Sequence, residues 1–284
     1  MATQSNASSY AALPTNNITA RNGIEYAYRE VGTSPVPLLL LQHFRGNLDN
    51  WDLSLIDALS AKRRVITFNN TGVGSSSGST PSTIYEMSRD ALAFAEALGL
   101  AHVDLLGFSI GSFMAQEMAL ARPALIRKMI LASSAPTGAS GMHGWSPWVI
   151  EAVGSQERTP PENYINVFFA KSQTSREAGA AALTRMFTRE EHDMPTSWQT
   201  RIAQYDAVCE WGIPNHSLLQ RLEAIEVPVF VTNGESDPMI LPRYSYLLNG
   251  LLLDARMKIY PDSAHGFLFQ HHSEFAADVN SFLD

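Results

Sequence analysis

The stretch Leu105-Leu106-Gly107-Phe108-Ser109-Ile110-Gly111-Ser112 decides the fold. Residues 103–107 read as a buried strand, and 112–121 carry a helical pattern after the Gly-x-Ser-x-Gly. A serine raised on a tight strand-to-helix turn needs small residues two positions to either side, because side chains there would collide with the backbone. The five-residue pattern alone is common by chance. Its strand-turn-helix setting gives it meaning.

Outward from this turn the chain alternates β and α texture. Ile18–Ala20 and Ile24–Glu30 read as two alternating strands joined at Asn22-Gly23, a hairpin signal. Continuous apolar runs at 36–41, 64–68, 128–132 and 227–232 read as strands covered on both faces, as in a parallel sheet. Helical spacing appears over 51–59, 83–98 with Gly99 as its stop, and 273–283; 256–260 is a last strand. Strands alternating with helices predict an α/β fold, with a mostly parallel central sheet flanked by helices. Between residues 135 and 226 the β runs vanish. Thr159 and Thr174, each followed by Glu three residues later, read as capping boxes of successive helices. This gives a core of 18–134 and 227–284, a helical lid (cap) of 135–226 inserted before the last two strands, and a flexible tail of 1–17.

At 284 residues the chain can bury one large core without a second independent domain. A net charge of −8 and no Lys/Arg run leave no basic field for phosphates, so nucleic acid is not an expected partner. The single cysteine, Cys209, excludes an internal disulfide and a cysteine-cluster metal site. The first 17 residues carry neither a basic nor an apolar leader region, and the apolar run Val36–Leu41 is too short to span a bilayer. A cytoplasmic protein without membrane attachment, monomer or homodimer, is expected.

A serine hydroxyl is a weak nucleophile, so Ser109 needs a base within reach and a third group to orient that base. Both appear at later strand ends in the order Ser, Asp, His. Asp237 lies in Asn233-Gly-Glu-Ser-Asp-Pro-Met239 after the 227–232 strand, with Glu235 as the rival carboxylate. Ser133-Ser-Ala-Pro136, after the preceding strand, offers no acid. His265 lies in Ser263-Ala-His-Gly266, just past the last strand. Of the other histidines weighed for this role, His102 precedes a strand, three fall in the insertion, and His271 and His272 open the closing helix. Two N–H donors for a developing oxyanion are also needed, and losing one typically costs about 3 kcal/mol of transition-state stabilisation. Ile110 follows the nucleophile; Phe44, in the loop after the 36–41 strand, is the second candidate.

Gly107-x-Ser109-x-Gly111, Asp237-Pro238 and Ala264-His265-Gly266 together make the chain resemble the α/β-hydrolases, in the subgroup that includes serine carboxylesterases and cofactor-free haloperoxidases (perhydrolases). The resemblance covers nearly everything from Ile18 to Leu283. It implies a cofactor-free carboxylic ester hydrolase with an acyl-enzyme intermediate and peracid formation as a side reaction. Two departures stand out. The family usually has His-Gly-x at the oxyanion loop, where this chain has Gln42-His43-Phe44, and usually Asp after the next strand, where this chain has Asn69-Asn70.

Two other motifs carry less. Gly72-Val-Gly-Ser-Ser-Ser-Gly78 follows a strand as a dinucleotide fingerprint would, but its third glycine is one residue late and Pro81 interrupts the helix. No His-x-x-x-His or Cys-x-x-Cys exists, so no metal is expected. The insertion is rich in bulky apolar residues, Met142, Trp145, Trp148 and Phe168 among them, and should sit over Ser109. His43, Trp145, Trp148, Phe168 and Met239 are the expected lining of an apolar pocket for a small-molecule substrate. The alternatives are C–C bond hydrolysis of a diketone or ring-fission product, and a slow-turnover receptor for a small molecule.

Overall fold

Eight strands form one sheet in the order β1-β2-β4-β3-β5-β6-β7-β8 in the computed structural model, which describes residues 9–141 and 144–284. The hairpin β1 (Asn16–Thr19) and β2 (Glu25–Val31) is the antiparallel edge, turning through Gly23 at φ +78°. Strands β3 (Leu38–Leu41), β4 (Val65–Phe68), β5 (Val103–Phe108), β6 (Ile126–Ala132), β7 (Val229–Gly234) and β8 (Ala255–Tyr260) are parallel. Every residue of β3, β4, β5 and β7 is buried, as continuous apolar runs in a doubly covered sheet must be.

Helices α1 (Leu53–Ser60), α2 (Ile84–Ala97) and α3 (Ile110–Ala121) alternate with the first parallel strands. Asp52 caps α1 by accepting from Ser54 and Leu55 N–H. Thr83 caps α2, and Gly99 at φ +67° ends it with Gly99 N–H bonded to Glu96 O and Leu100 N–H to Ala95 O. Between β6 and β7 lie α4 (Pro147–Gly154), α5 (Pro161–Phe168), α6 (Gln173–Met186), α7 (Trp198–Trp211) and α8 (His216–Leu219), with no strand among the described residues. α9 (Arg243–Leu251) precedes β8, and α10 (Phe267–Gln270) and α11 (His272–Leu283) close the chain. α1 packs on α11 and α2 on α3, while α6 reaches the core through α1 and α10.

Three expectations need correction. Residues 9–17 are not a loose tail: Tyr10 is buried, its hydroxyl bonded to Thr67 Oγ1 at 2.7 Å and Leu48 O at 3.1 Å, and β1 begins at Asn16. Thr159 does not cap α5, which starts on Pro160 and Pro161 with no side-chain cap. Proline at the first helical position loses an N–H that has no helical partner anyway. Thr174 sits inside α6, whose cap is Ser172, accepting from Ser175 N–H at 3.0 Å. Residues 1–8 of the expected tail, and Met142 and His143 of the insertion, lie outside the described residues.

Candidate active site

Ser109 sits between the end of β5 and the first residue of α3, with φ +57° and ψ −124°. A non-glycine residue in such a sparsely populated conformation costs about 1–3 kcal/mol, and it persists only where the surroundings enforce it. The flanking glycines do so. A β-carbon on Gly107 would lie 2.5 Å from Gly111 O, and one on Gly111 would lie 2.1 Å from Leu41 O. Helix and strand therefore approach so closely that only hydrogen fits at both positions. Ser109 N–H is bonded to Ala132 O at 2.9 Å, which ties the turn to the end of β6.

Asp237 and His265 follow β7 and β8, which lie beyond β6 on the same side of β5. The turn after β7 is pinned by Asn233, which accepts from Ser133 Oγ at 2.9 Å and donates to Ile240 O at 2.9 Å. Asp237 Oδ1 accepts from Met239 and Ile240 N–H at 2.8 and 3.0 Å, and Oδ2 accepts from His265 Nδ1 at 2.8 Å. Both side chains are 0–1 % exposed. Because Nδ1 donates to the carboxylate, Nε2 is left as the acceptor. Nε2 has no hydrogen-bond partner among the described residues, so the link to Ser109 is not closed. The rival Glu235 is exposed, and its carboxylate accepts Asp262 N–H.

The loop after β3 is held without the glycine expected there. Gln42 Oε1 accepts His43 N–H at 2.9 Å while its Nε2 donates to Asn47 O at 3.0 Å, and Gly46 N–H returns to His43 O at 3.0 Å. Neither Phe44 N–H nor Ile110 N–H has a partner in this network. His43 Nδ1 donates to Phe44 O at 2.8 Å. Burial, with a smaller contribution from His265, pushes the imidazole down to about 3, so His43 is neutral at ordinary pH. The rings of His43 and His265 are both packed by Phe108 and Phe168, at 5.0–5.3 Å between centroids.

Arg45 carries the loop into the insertion. Its guanidinium donates to the carbonyls of Val153, Gln156 and Glu157 at the end of α4, and its backbone N–H to Gln204 Oε1 at 2.7 Å. Asn69, at the first position where the family usually has Asp, accepts Leu48 N–H at 2.9 Å and donates to Asp193 Oδ2 at 2.5 Å. The carboxylate comes from the insertion instead. Gly266 N–H donates to Phe168 O at 2.7 Å, joining α5 to the residue after His265.

A cavity of about 750 Å³ opens between the loop after β3 and the insertion. His43, Phe44, Tyr164, Phe168, Leu183, Met186, Met239 and His265 line its apolar part. Trp145 and Trp148 are not in its lining: Trp145 packs edge-on against Phe44 at 4.9 Å, and Trp148 is 48 % exposed on α4. Among the described residues no group of three or more His, Cys, Asp or Glu side chains is placed to hold a metal ion. Among the described residues no helix is long and apolar enough to cross a membrane.

A family model described as alpha/beta hydrolase fold matches residues 36–272. The chain belongs to this family. It is similar to a pimeloyl-[acyl-carrier protein] methyl ester esterase of Edwardsiella ictaluri, 27 % identical over 89 % of this chain and 95 % of that protein. It is also similar to a putative non-heme bromoperoxidase, BpoC, of Mycobacterium tuberculosis, 32 % identical over 38 % of this chain and 41 % of that protein. A solved alpha/beta hydrolase fold protein from Chitinophaga pinensis superposes with a TM-score of 0.91 at 40 % identity, covering 98 % of this chain and 99 % of that one. This alpha/beta hydrolase is thus related to esterases and to a peroxidase-named member of one fold. Sequence reasoning missed Gln42 and Gly46, which shape the loop, and Tyr164, whose hydroxyl is buried at the cavity wall without a partner among the described residues. A Gln-x-x-x-Gly spacing carries no general signal, and Tyr164 read as one more packing aromatic.

Proposed function

We propose that the chain is a serine hydrolase that cleaves a carboxylic ester with an apolar moiety through an acyl-enzyme intermediate. The observation that carries this reading is the buried Asp237–His265 pair at 2.8 Å, with the remaining imidazole nitrogen unpartnered at the end of the strand array that presents Ser109. Ser109 Oγ attacks the carbonyl carbon as its proton passes to His265 Nε2, and Asp237 balances the imidazolium. Phe44 and Ile110 N–H hold the oxyanion. His265 then gives its proton to the leaving oxygen as the C–O bond breaks. Water repeats the sequence on the acyl-enzyme and frees the acid. The helices of 135–226 act as the lid that shapes the acyl site.

The test is labelling by a fluorophosphonate probe beside hydrolysis of p-nitrophenyl esters. Ser109→Ala is expected to abolish both. Undiminished hydrolysis by that variant would overturn the reading.

A further inference from the structure

Arg45 has φ +63°, in the left-handed region that a residue with a β-carbon rarely adopts. Its neighbours must hold it there. Among the described residues, every hydrogen bond of Arg45 runs to the insertion. The guanidinium donates to the carbonyls of Val153, Gln156 and Glu157, the backbone N–H donates to Gln204 Oε1 at 2.7 Å, and the backbone carbonyl accepts from Thr196 Oγ1 at 2.7 Å.

The peptide joining Phe44 to Arg45 is therefore held at both ends: Phe44 O accepts from His43 Nδ1 at 2.8 Å, and Arg45 N–H donates to Gln204. The peptide before it is held at its oxygen, since His43 O accepts from Gly46 N–H at 3.0 Å. From His43 N–H to Arg45 O, Phe44 N–H is the backbone group without a partner among the described residues. Its direction is fixed by bonds on either side of it. Gln204, on α7, is fully buried, and its side chain makes no other hydrogen bond among the described residues, Nε2 being unpartnered. An amide that pairs one N–H while leaving its own two donors bare is a poor exchange for stability alone, because each buried unpaired donor is costly. Gln204 does not line the cavity, so any effect it has on the reaction passes through Arg45.

We propose that Gln204 is a positioning residue for the oxyanion donor: by accepting Arg45 N–H it fixes the peptide after Phe44, while Thr196 holds the far side of Arg45, and together they aim Phe44 N–H at the carbonyl oxygen. The insertion thus contributes to the rate as well as to the shape of the acyl site. The proposal rests on the ester-hydrolase reading above, with Phe44 N–H as donor. Such a donor acts mainly in the transition state, so loosening its support lowers kcat more than it raises KM.

The experiment measures kcat and KM for p-nitrophenyl butanoate, and Ki for pentyl trifluoromethyl ketone, in the wild type, Gln204→Met and Gln204→Glu. Ser109 Oγ adds to the ketone carbon as its proton passes to His265, and the oxygen of the resulting hemiketal takes the place of the oxyanion. Gln204→Met is expected to lower kcat about tenfold and to raise Ki by about the same factor, with KM changed by less than about threefold. Gln204→Glu keeps an accepting oxygen and should recover most of both. A residue that only stabilised the fold would lower the unfolding midpoint and leave kcat and Ki in place. Values for Gln204→Met within about twofold of the wild type therefore overturn the proposal, as does a Gln204→Glu protein no better than Gln204→Met. Should Gln204→Met not fold, Thr196→Val decides. It removes the donor to Arg45 O from a partly exposed side chain, and a fall in kcat of about threefold with a matching rise in Ki is expected. Unchanged values there overturn the proposal. A wild type that neither hydrolyses the ester nor takes the fluorophosphonate label overturns the esterase reading, and this proposal with it.

Discussion

The side chain of Gln42 lies against the Cα of Gly46, so closely that a β-carbon there would come within 2.5 Å of Gln42 Cγ. Gln42 cannot swing aside cheaply, because its amide bridges His43 N–H and Asn47 O at 2.9 and 3.0 Å. Gly46→Ala should therefore displace the brace and with it Phe44 N–H. The expected outcome is a fall in kcat of about 10- to 100-fold with a smaller change in KM, since Phe44 N–H, in its proposed role as oxyanion donor, acts mainly in the transition state. Steady-state kinetics of the variant on a p-nitrophenyl ester checks this.

Asp237→Asn should keep the fold and lose the reaction. The amide oxygen can still accept Met239 and Ile240 N–H, so the turn after β7 keeps its shape. The amide nitrogen, however, would donate to His265 Nδ1 and force the hydrogen onto Nε2, which can then no longer take the proton of Ser109. A drop in kcat of roughly 10³- to 10⁴-fold is expected, with an unchanged thermal midpoint.

These two cases mark what was legible in the chain. The tight turn at Gly107 and Gly111 and the contact of Asp237 with His265 were readable because each signal is local: a turn that admits only hydrogen, or a carboxylate and an imidazole directly after an apolar strand. Sheet and helix order followed from the same run-and-break texture. The pocket was readable only in part: His43, Phe168 and Met239 line the cavity, whereas Trp145 and Trp148 do not. Trp145, Trp148 and Phe168 lie in one apolar, helical segment, and which of them faces the cavity depends on how α4 and α5 pack over the loop after β3. Nor did α9 show itself, since Pro242 at its start offers no side-chain cap and Asn249-Gly250 places a turn signal inside it. The role of Asn69 was hidden for another reason: its carboxylate partner, Asp193, is 124 residues away.

The insertion is fastened to the core by an ion pair that should be measurable. Asp52 is fully buried at the start of α1, and Arg185 of α6 reaches both its oxygens at 2.6–3.0 Å. Removing Arg185 leaves a buried carboxylate with only its two capping N–H donors. Breaking a buried pair from one side costs about 3–5 kcal/mol; with Arg185 partly exposed, about 2 kcal/mol is expected for Arg185→Met. Urea unfolding of the wild type and the variant checks it, and a loss below about 0.5 kcal/mol would mean that α6 is held by packing alone.

The neutral state of His43 sets a pH dependence of stability. In the unfolded chain an imidazole titrates near 6.5, whereas in the folded protein burial holds His43 down to about 3. Between those values the unfolded state binds the additional proton, so the contribution is fully present above pH 6.5 and is lost progressively as pH falls toward 3. At pH 4.5 the loss attributable to this one side chain is about 3 kcal/mol, two pH units at about 1.4 kcal/mol each. His43→Gln has no such group. Its stability should therefore fall less than that of the wild type between pH 7 and pH 4.5, by roughly that amount, with every other titrating group common to both proteins. Denaturant unfolding at the two pH values provides the measurement. Parallel losses in the two proteins would show that His43 takes up its proton in the folded state.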